Sequence, residues 1–169
     1  MSSRFSPTLE GMKILAIDPG YDRLGIAVVE VSASSPVLVW SDCVIPDKGA
    51  REERLACVSK AVMAAIKKYS PDILAIETLF FSVNKKTVMG VAEARGAILS
   101  AAGLASLPVV EYSPQQIKNA VTGNGGADKK AVARMVTLLL KLPKRRRFDD
   151  EIDAVAIGIT ALASGLSRH

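Results

Sequence analysis

Histidine and cysteine are almost missing from this 169-residue chain. The one histidine, His169, is the last residue, and chain ends are usually loosely held. Ser-His-Asp and Cys-His catalysis and zinc–histidine sites therefore have no material here. The two cysteines, Cys43 and Cys57, form no CxxC pair and read as reduced, partly buried thiols. No uninterrupted apolar run approaches the ~18 residues of a membrane span. The N-terminal stretch lacks the apolar core of a secretory signal. No internal repeat or low-complexity tract is present. Any chemistry must therefore run on carboxylates, lysines and metal ions.

Hydrophobic residues make up 49% of the chain, enough for a real core in one domain of this length. Residues 1–12 read as a polar, disordered extension and 13–169 as a single domain. The formal charge is +5 and the pI near 9.3, which suits a polyanionic partner without proving one. One charge run stands out, Lys144-Arg145-Arg146-Arg147. It reads as a phosphate clamp or as a solvated loop.

Lys13 to Ile17 is a short, branched, apolar run ended by Asp18-Pro19-Gly20, a buried strand followed by a turn. Leu24 to Val31 and Val37 to Ile45 follow as further strands, joined by short links as in a meander. From Glu53 to Tyr69 the apolar residues Leu55, Val58, Val62 and Ile66 recur at helical spacing. Ile73 to Ile76 is a fourth strand with Glu77 at its end. A helix over Lys86 to Leu104 and a short strand over Val109 to Glu111 come next. Ser113-Pro114-Gln115-Gln116 has the form of a capping box with proline at the first helical position. Asp128 caps a helix running to about Lys141, and a last helix runs from near Asp149 to about Ser164. Strands in a meander followed by alternating strands and helices imply one mixed sheet with helices packed on it.

In such sheets a site usually lies beyond the carboxyl ends of the parallel strands. Asp18 and Glu77 each end an apolar strand. Asp18 is a turn starter or a functional acid. Glu77 faces solvent or meets a cation, since an isolated buried charge is costly. Asp149, Asp150, Glu151 and Asp153 open the last helix, where acids complement the helix dipole. That helix is apolar almost all round, so at least one of these acids turns toward the protein body. Asp150 and Asp153, three apart, share a face. Such a set suggests a divalent-cation site able to clamp an in-line phosphoryl displacement.

Six blocks resemble the RuvC family of Holliday-junction resolvases, in that family's order. They are Ile14 to Gly20, Ala75 to Phe80, Ala92 to Gly96, Glu111 to Lys118, Leu138 to Pro143 and Asp150 to Ile157. The resemblance implies an α/β, RNase H-like fold, with a five-stranded mixed sheet and helices on both faces. It implies a crossover junction endodeoxyribonuclease making paired symmetric nicks in recombination and repair. Asp18, Glu77, Asp150 and Asp153 match the metal-binding catalytic carboxylates, holding two Mg²⁺ ions that Mn²⁺ replaces. Asp149 and Glu151 have no equivalent and are read as helix-start acids. Phe80 matches an aromatic that wedges against bases, and stacking on an unpaired base is worth about 1–3 kcal/mol. Lys118 and Lys129 match basic residues near the scissile phosphate. Lys85, Lys86, Arg145 and Arg146 are candidate DNA-backbone contacts, which position a duplex without reading it. The run Lys144 to Arg147 departs from the family's less basic linker. The helix over Lys86 to Leu104, rich in glycine and alanine, packs on the sheet or forms a homodimer interface. Four-way junction DNA, a second copy and a RuvA–RuvB branch-migration complex are the implied partners, in the bacterial cytoplasm. The rivals are an RNA-directed nuclease of the YqgF type and a non-catalytic junction-binding module.

Overall fold

Alternation along the central strands decides how the molecule is layered. In β1 (Lys13–Asp18), Ile14 and Ala16 face one side of the sheet and Leu15 and Ile17 the other, and all four are fully buried. A strand apolar on both faces needs cover on both. The computed structural model describes residues 10–33, 35–79 and 85–165, with the backbone alone at 85–87. Within these, β1 is followed by β2 (Leu24–Ser32), β3 (Ser35–Val44), α1 (Arg51–Tyr69), β4 (Ile73–Glu77) and α2 (Lys85–Leu104). Then come β5 (Val109–Tyr112), α3 (Pro114–Thr122), α4 (Lys129–Leu139) and α5 (Asp149–Ala163).

The strands lie in the order β3-β2-β1-β4-β5. The meander β1–β2–β3 is antiparallel, whereas β4 and β5 add parallel to β1. One core joins Leu15, Ile17, Ile26, Val28, Leu74 and Ile76 to Val58, Val62 and Ala65 of α1 and Ile98, Ala101 and Ala102 of α2. The other joins Ile14, Ala16, Ala27, Val29 and Ala75 to α3, α4 and α5. The fold is thus the α/β, RNase H-like arrangement expected, with helices on both faces. α5 is buried along most of its length and sits close to the sheet: a Cβ at Gly158 would meet Val29 Cγ2 at 2.6 Å.

Element ends agree with the sequence reading to within two residues. α4 stops at Leu139 rather than Lys141 because Lys141 takes a left-handed conformation at φ 48°, turning the chain before Pro143. α3 is capped as expected, the Ser113 side chain accepting from Gln116 N–H and the Gln116 side chain from Ser113 N–H. Gly11 N–H donates to Val31 O, and Met12, placed in the polar extension by its sequence, is buried in the core.

Candidate active site

Parallel pairing of β1 with β4 aligns Ile17 with Ile76, so Asp18 and Glu77 follow side by side at the carboxyl ends of neighbouring strands. The two-residue period puts Asp18 on the face of Ile14 and Ala16, and Glu77 on the face of Ile73 and Ala75. That is the α5 face. Gly25 pairs with Asp18 across the hairpin, and a Cβ there would overlap the backbone oxygen of Asp150. Only glycine lets the start of α5, which carries Asp150 and, one turn on, Asp153, come this close to Asp18.

Asp18, Glu77 and Asp153 line a cavity of about 300 Å³ together with Lys118 of α3 and Lys129 of α4, with Ile117, Val132 and Ala156 in its walls. Lys129 Nζ lies 3.1 Å from Asp153. Asp150 stands beside this cavity and faces Arg23 at 3.8 Å. The Arg23 guanidinium rests over the Phe148 ring, 5.1 Å from its centroid. Burial raises the Asp18 carboxyl to about 8, helped by the charges of Asp153, Glu77 and Asp150 and opposed by Lys129. Burial and Asp153 push Glu77 upward, against Lys129 and Lys118. Burial also raises Asp153, with Lys129 acting the other way. Lys129 is itself raised, chiefly by the charge of Asp153.

Three raised carboxyls, Asp18, Glu77 and Asp153, with the Asp150 charge adding to the rise of two of them, are an electrostatic demand for cations. Among the described residues, no three Asp, Glu, His or Cys side chains form a group that would hold a metal ion as they are placed. Two protein cations divide the acids instead, Lys129 at Asp153 and Arg23 at Asp150. The donor chemistry nevertheless fits a hard divalent ion, which takes oxygen ligands, needs only one or two carboxylates and keeps several waters.

The model of the family described as "Crossover junction endodeoxyribonuclease RuvC" matches residues 14–161. The RuvC of Thermosipho melanesiensis is 44% identical over 147 residues, 86% of this chain and 94% of that protein. The RuvC of Brevibacillus brevis is 41% identical over 150 residues, covering 88% of this chain and 90% of that protein. Thermus thermophilus RuvC, solved in complex with a Holliday junction substrate, superposes with a TM-score of 0.85 at 34% identity, over 90% of this chain and 94% of that one. The chain belongs to the RuvC family of crossover junction endodeoxyribonucleases. Dependence on a divalent metal follows from that membership.

Of the residues the RuvC resemblance singled out, the fold brings Asp18, Glu77, Asp153, Lys118 and Lys129 into one cavity and sets Asp150 beside it. Phe80 lies outside the described residues, and at Lys85 and Lys86 only the backbone of α2 is described. Asp149 is exposed, as a helix-start acid should be. Glu151 also sits in the first turn of α5, but it is buried and paired with arginines. Arg145, expected on DNA, is drawn to that buried carboxylate, while Lys144 and Arg146 remain exposed. Cys43 stays a thiol, raised to about 11 first by burial and then by Asp150.

Arg95 of α2 escaped the sequence reading as an individual residue, though it lies within a quoted block. Its guanidinium donates to the Glu77 carbonyl at 2.7 Å and pairs with Glu111 at 2.6 Å. It thereby ties together the ends of β4 and β5 behind the Glu77 carboxylate. With 11% of its side chain exposed, Arg95→Ala should lower stability by about 1–3 kcal/mol. It should also slow cutting more than it weakens DNA binding, and Arg95→Lys should restore little, because a lysine cannot span both acceptors. Thermal melts and single-turnover rates check this.

Proposed function

We propose that this chain cuts four-way DNA junctions as a homodimer, hydrolysing one phosphodiester per subunit so that the two nicks are paired and symmetric. The observation that carries the reading is the convergence of Asp18, Glu77 and Asp153 on one cavity flanked by Lys118 and Lys129, with Asp150 at its edge. Thermus thermophilus RuvC, so similar over most of its length, was solved on such a junction. A two-fold protein also matches a nearly two-fold substrate that needs two equivalent cuts.

Asp18, Glu77, Asp150 and Asp153 would hold two Mg²⁺ ions, with Mn²⁺ able to replace them. When bound, such ions supply Lewis acidity at the phosphate and a more acidic attacking water. The chain's own part is orientation and charge. Asp18 carries a proton near neutral pH until a cation displaces it. The Lys129 ammonium, 76% exposed at the cavity, and Lys118 are placed to offset phosphate charge. Phe80 is assigned to DNA through the family resemblance, and Lys85, Lys86 and Arg146 are candidate contacts to the DNA backbone. Arg23, half exposed beside Asp150, would add a further phosphate contact. A RuvA–RuvB complex would be the partner that moves the junction, and the cytoplasm the place of work. Among the described residues no helix is long and apolar enough to cross a membrane.

The test is to incubate the protein with a labelled four-way junction, a linear duplex of the same sequence and a structured RNA, each with Mg²⁺ and with EDTA. Metal-dependent cutting of the junction supports the reading. Cutting confined to RNA would move the chain to an RNA-directed nuclease. Binding without cutting would make it a junction-binding module.

A further inference from the structure

Glu151 is the one charged residue that is fully buried among the described residues, at 2% exposure. Burying a carboxylate is costly unless it is paired and hydrogen-bonded, and this one is both. Its Oε1 accepts from Ser41 Oγ of β3 at 2.6 Å and from Arg145 Nη2. Arg147 Nε lies 3.5 Å away in a side chain only 7% exposed, and Arg147 Nη1 donates to Pro143 O at 3.0 Å. The cluster joins three places: β3, the loop before α5 and the first turn of α5. That turn has no side-chain cap, because the N-cap residue is Phe148. A first turn without a side-chain cap leaves its N–H groups without that partner and gains from another anchor. Asp150 and Asp153 lie on either side of Glu151 in the sequence.

We propose that Glu151 is a positioning residue: with Ser41, Arg145 and Arg147 it locks the first turn of α5, and so fixes Asp150 and Asp153 relative to Asp18 and Glu77. The inference rests on the reading of those four acids as the nuclease centre. It also changes what the basic run does, since two of its four cations serve the protein's own frame.

Glu151→Gln separates this role from plain electrostatics. Removing a negative charge from a DNA-binding face should tighten junction binding and leave cutting unchanged if charge is all that matters. If Glu151 positions the acids, kcat falls by about 10-fold or more with no weakening of junction affinity. Calorimetric titration with Mn²⁺ then shows a half-saturation raised by about 10-fold, and the amides of residues 150–154 exchange hydrogen faster than in the parent while those of 157–161 are unchanged. Ser41→Ala should move all three readouts in the same direction by less. It serves as the deciding variant if Glu151→Gln fails to fold. Rates, Mn²⁺ half-saturation and exchange all within twofold of the parent in a folded variant would overturn the proposal. If the parent itself cuts no junction, the proposed function fails, and Mn²⁺ binding and exchange still decide whether Glu151 positions the acids.

Discussion

Replacing Asp18 with Asn should abolish junction cutting and at the same time make the metal-free protein more stable. The activity loss follows from the proposed role of Asp18 as an ion ligand: ion-assisted phosphoryl transfer is worth several kcal/mol, so a fall of about 10³-fold or more is expected. The gain in stability follows from the same carboxylate. Its pKa stands at about 8 in the folded chain against 3.8 for an ordinary Asp, chiefly through burial and then through Asp153, Glu77 and Asp150. At pH 7 the unfolded chain gives up this proton freely while the folded chain keeps it. That penalty amounts to roughly 3–4 kcal/mol. A neutral amide of the same shape removes most of it. Thermal melts in EDTA should show Asp18→Asn melting roughly 5–10 °C above the parent at pH 7. The gap should shrink as pH falls and close below about pH 4, where Asp18 is protonated in the folded and the unfolded parent alike. A variant that loses activity and also melts lower would mean that Asp18 is an ordinary structural acid. This trade of stability for a charged, ion-hungry site is what a functional carboxylate cluster requires.

The metal-free parent should become less stable as pH rises, and divalent ions should reverse the trend. A raised carboxyl pKa means that the native state binds more protons than the unfolded state between the two pKa values. Stability then falls with pH across that window, here from about pH 4 to about pH 8 for Asp18. Glu77 and Asp153 are shifted in the same direction and add to the slope. Lys129 is raised from 10.5, so its contribution is already complete below that pH and does not bend the curve. Added Mg²⁺ or Mn²⁺ binds only the deprotonated set, so its stabilisation should grow with pH. At a free concentration of 100 times Kd it reaches about 2.7 kcal/mol. Melting temperatures from pH 5 to 9, with EDTA and with saturating Mn²⁺, should diverge steadily. Parallel curves would show that the acids do not form an ion site.

The fold was legible because β1, β2 and β4 are apolar on both faces and punctuated by Asp18-Pro19-Gly20 and Ser70-Pro71-Asp72. Ser113 and Asp128 marked two helix starts that the structure capped as expected. Asp18 and Glu77 were legible as strand-end acids, but their adjacency depends on the parallel pairing of β1 with β4, a long-range register that periodicity does not encode. Glu151 was misread for a related reason. Three acids opening a helix look alike, and which one turns inward depends on Ser41, 110 residues away in sequence, and on the arginines of the preceding loop. Gly25 carries no signal by itself, since its role exists only when Asp150 approaches. Arg23 and Arg95 carried no individual signal in the sequence. Only the packing of α5 and α2 gives them partners near the site.

Asp149 and Asp150 provide the most direct test of the carboxylate centre, because they are adjacent in sequence and chemically identical. Asp149 is exposed, whereas Asp150 raises the pKa of Asp18 and faces Arg23. Single-turnover cutting of a four-way junction should be measured for Asp149→Asn and Asp150→Asn side by side, with the nicks mapped on each strand. The account predicts paired, symmetric nicks at near-parental rates for Asp149→Asn and none for Asp150→Asn. Equal activity in the two variants would contradict it.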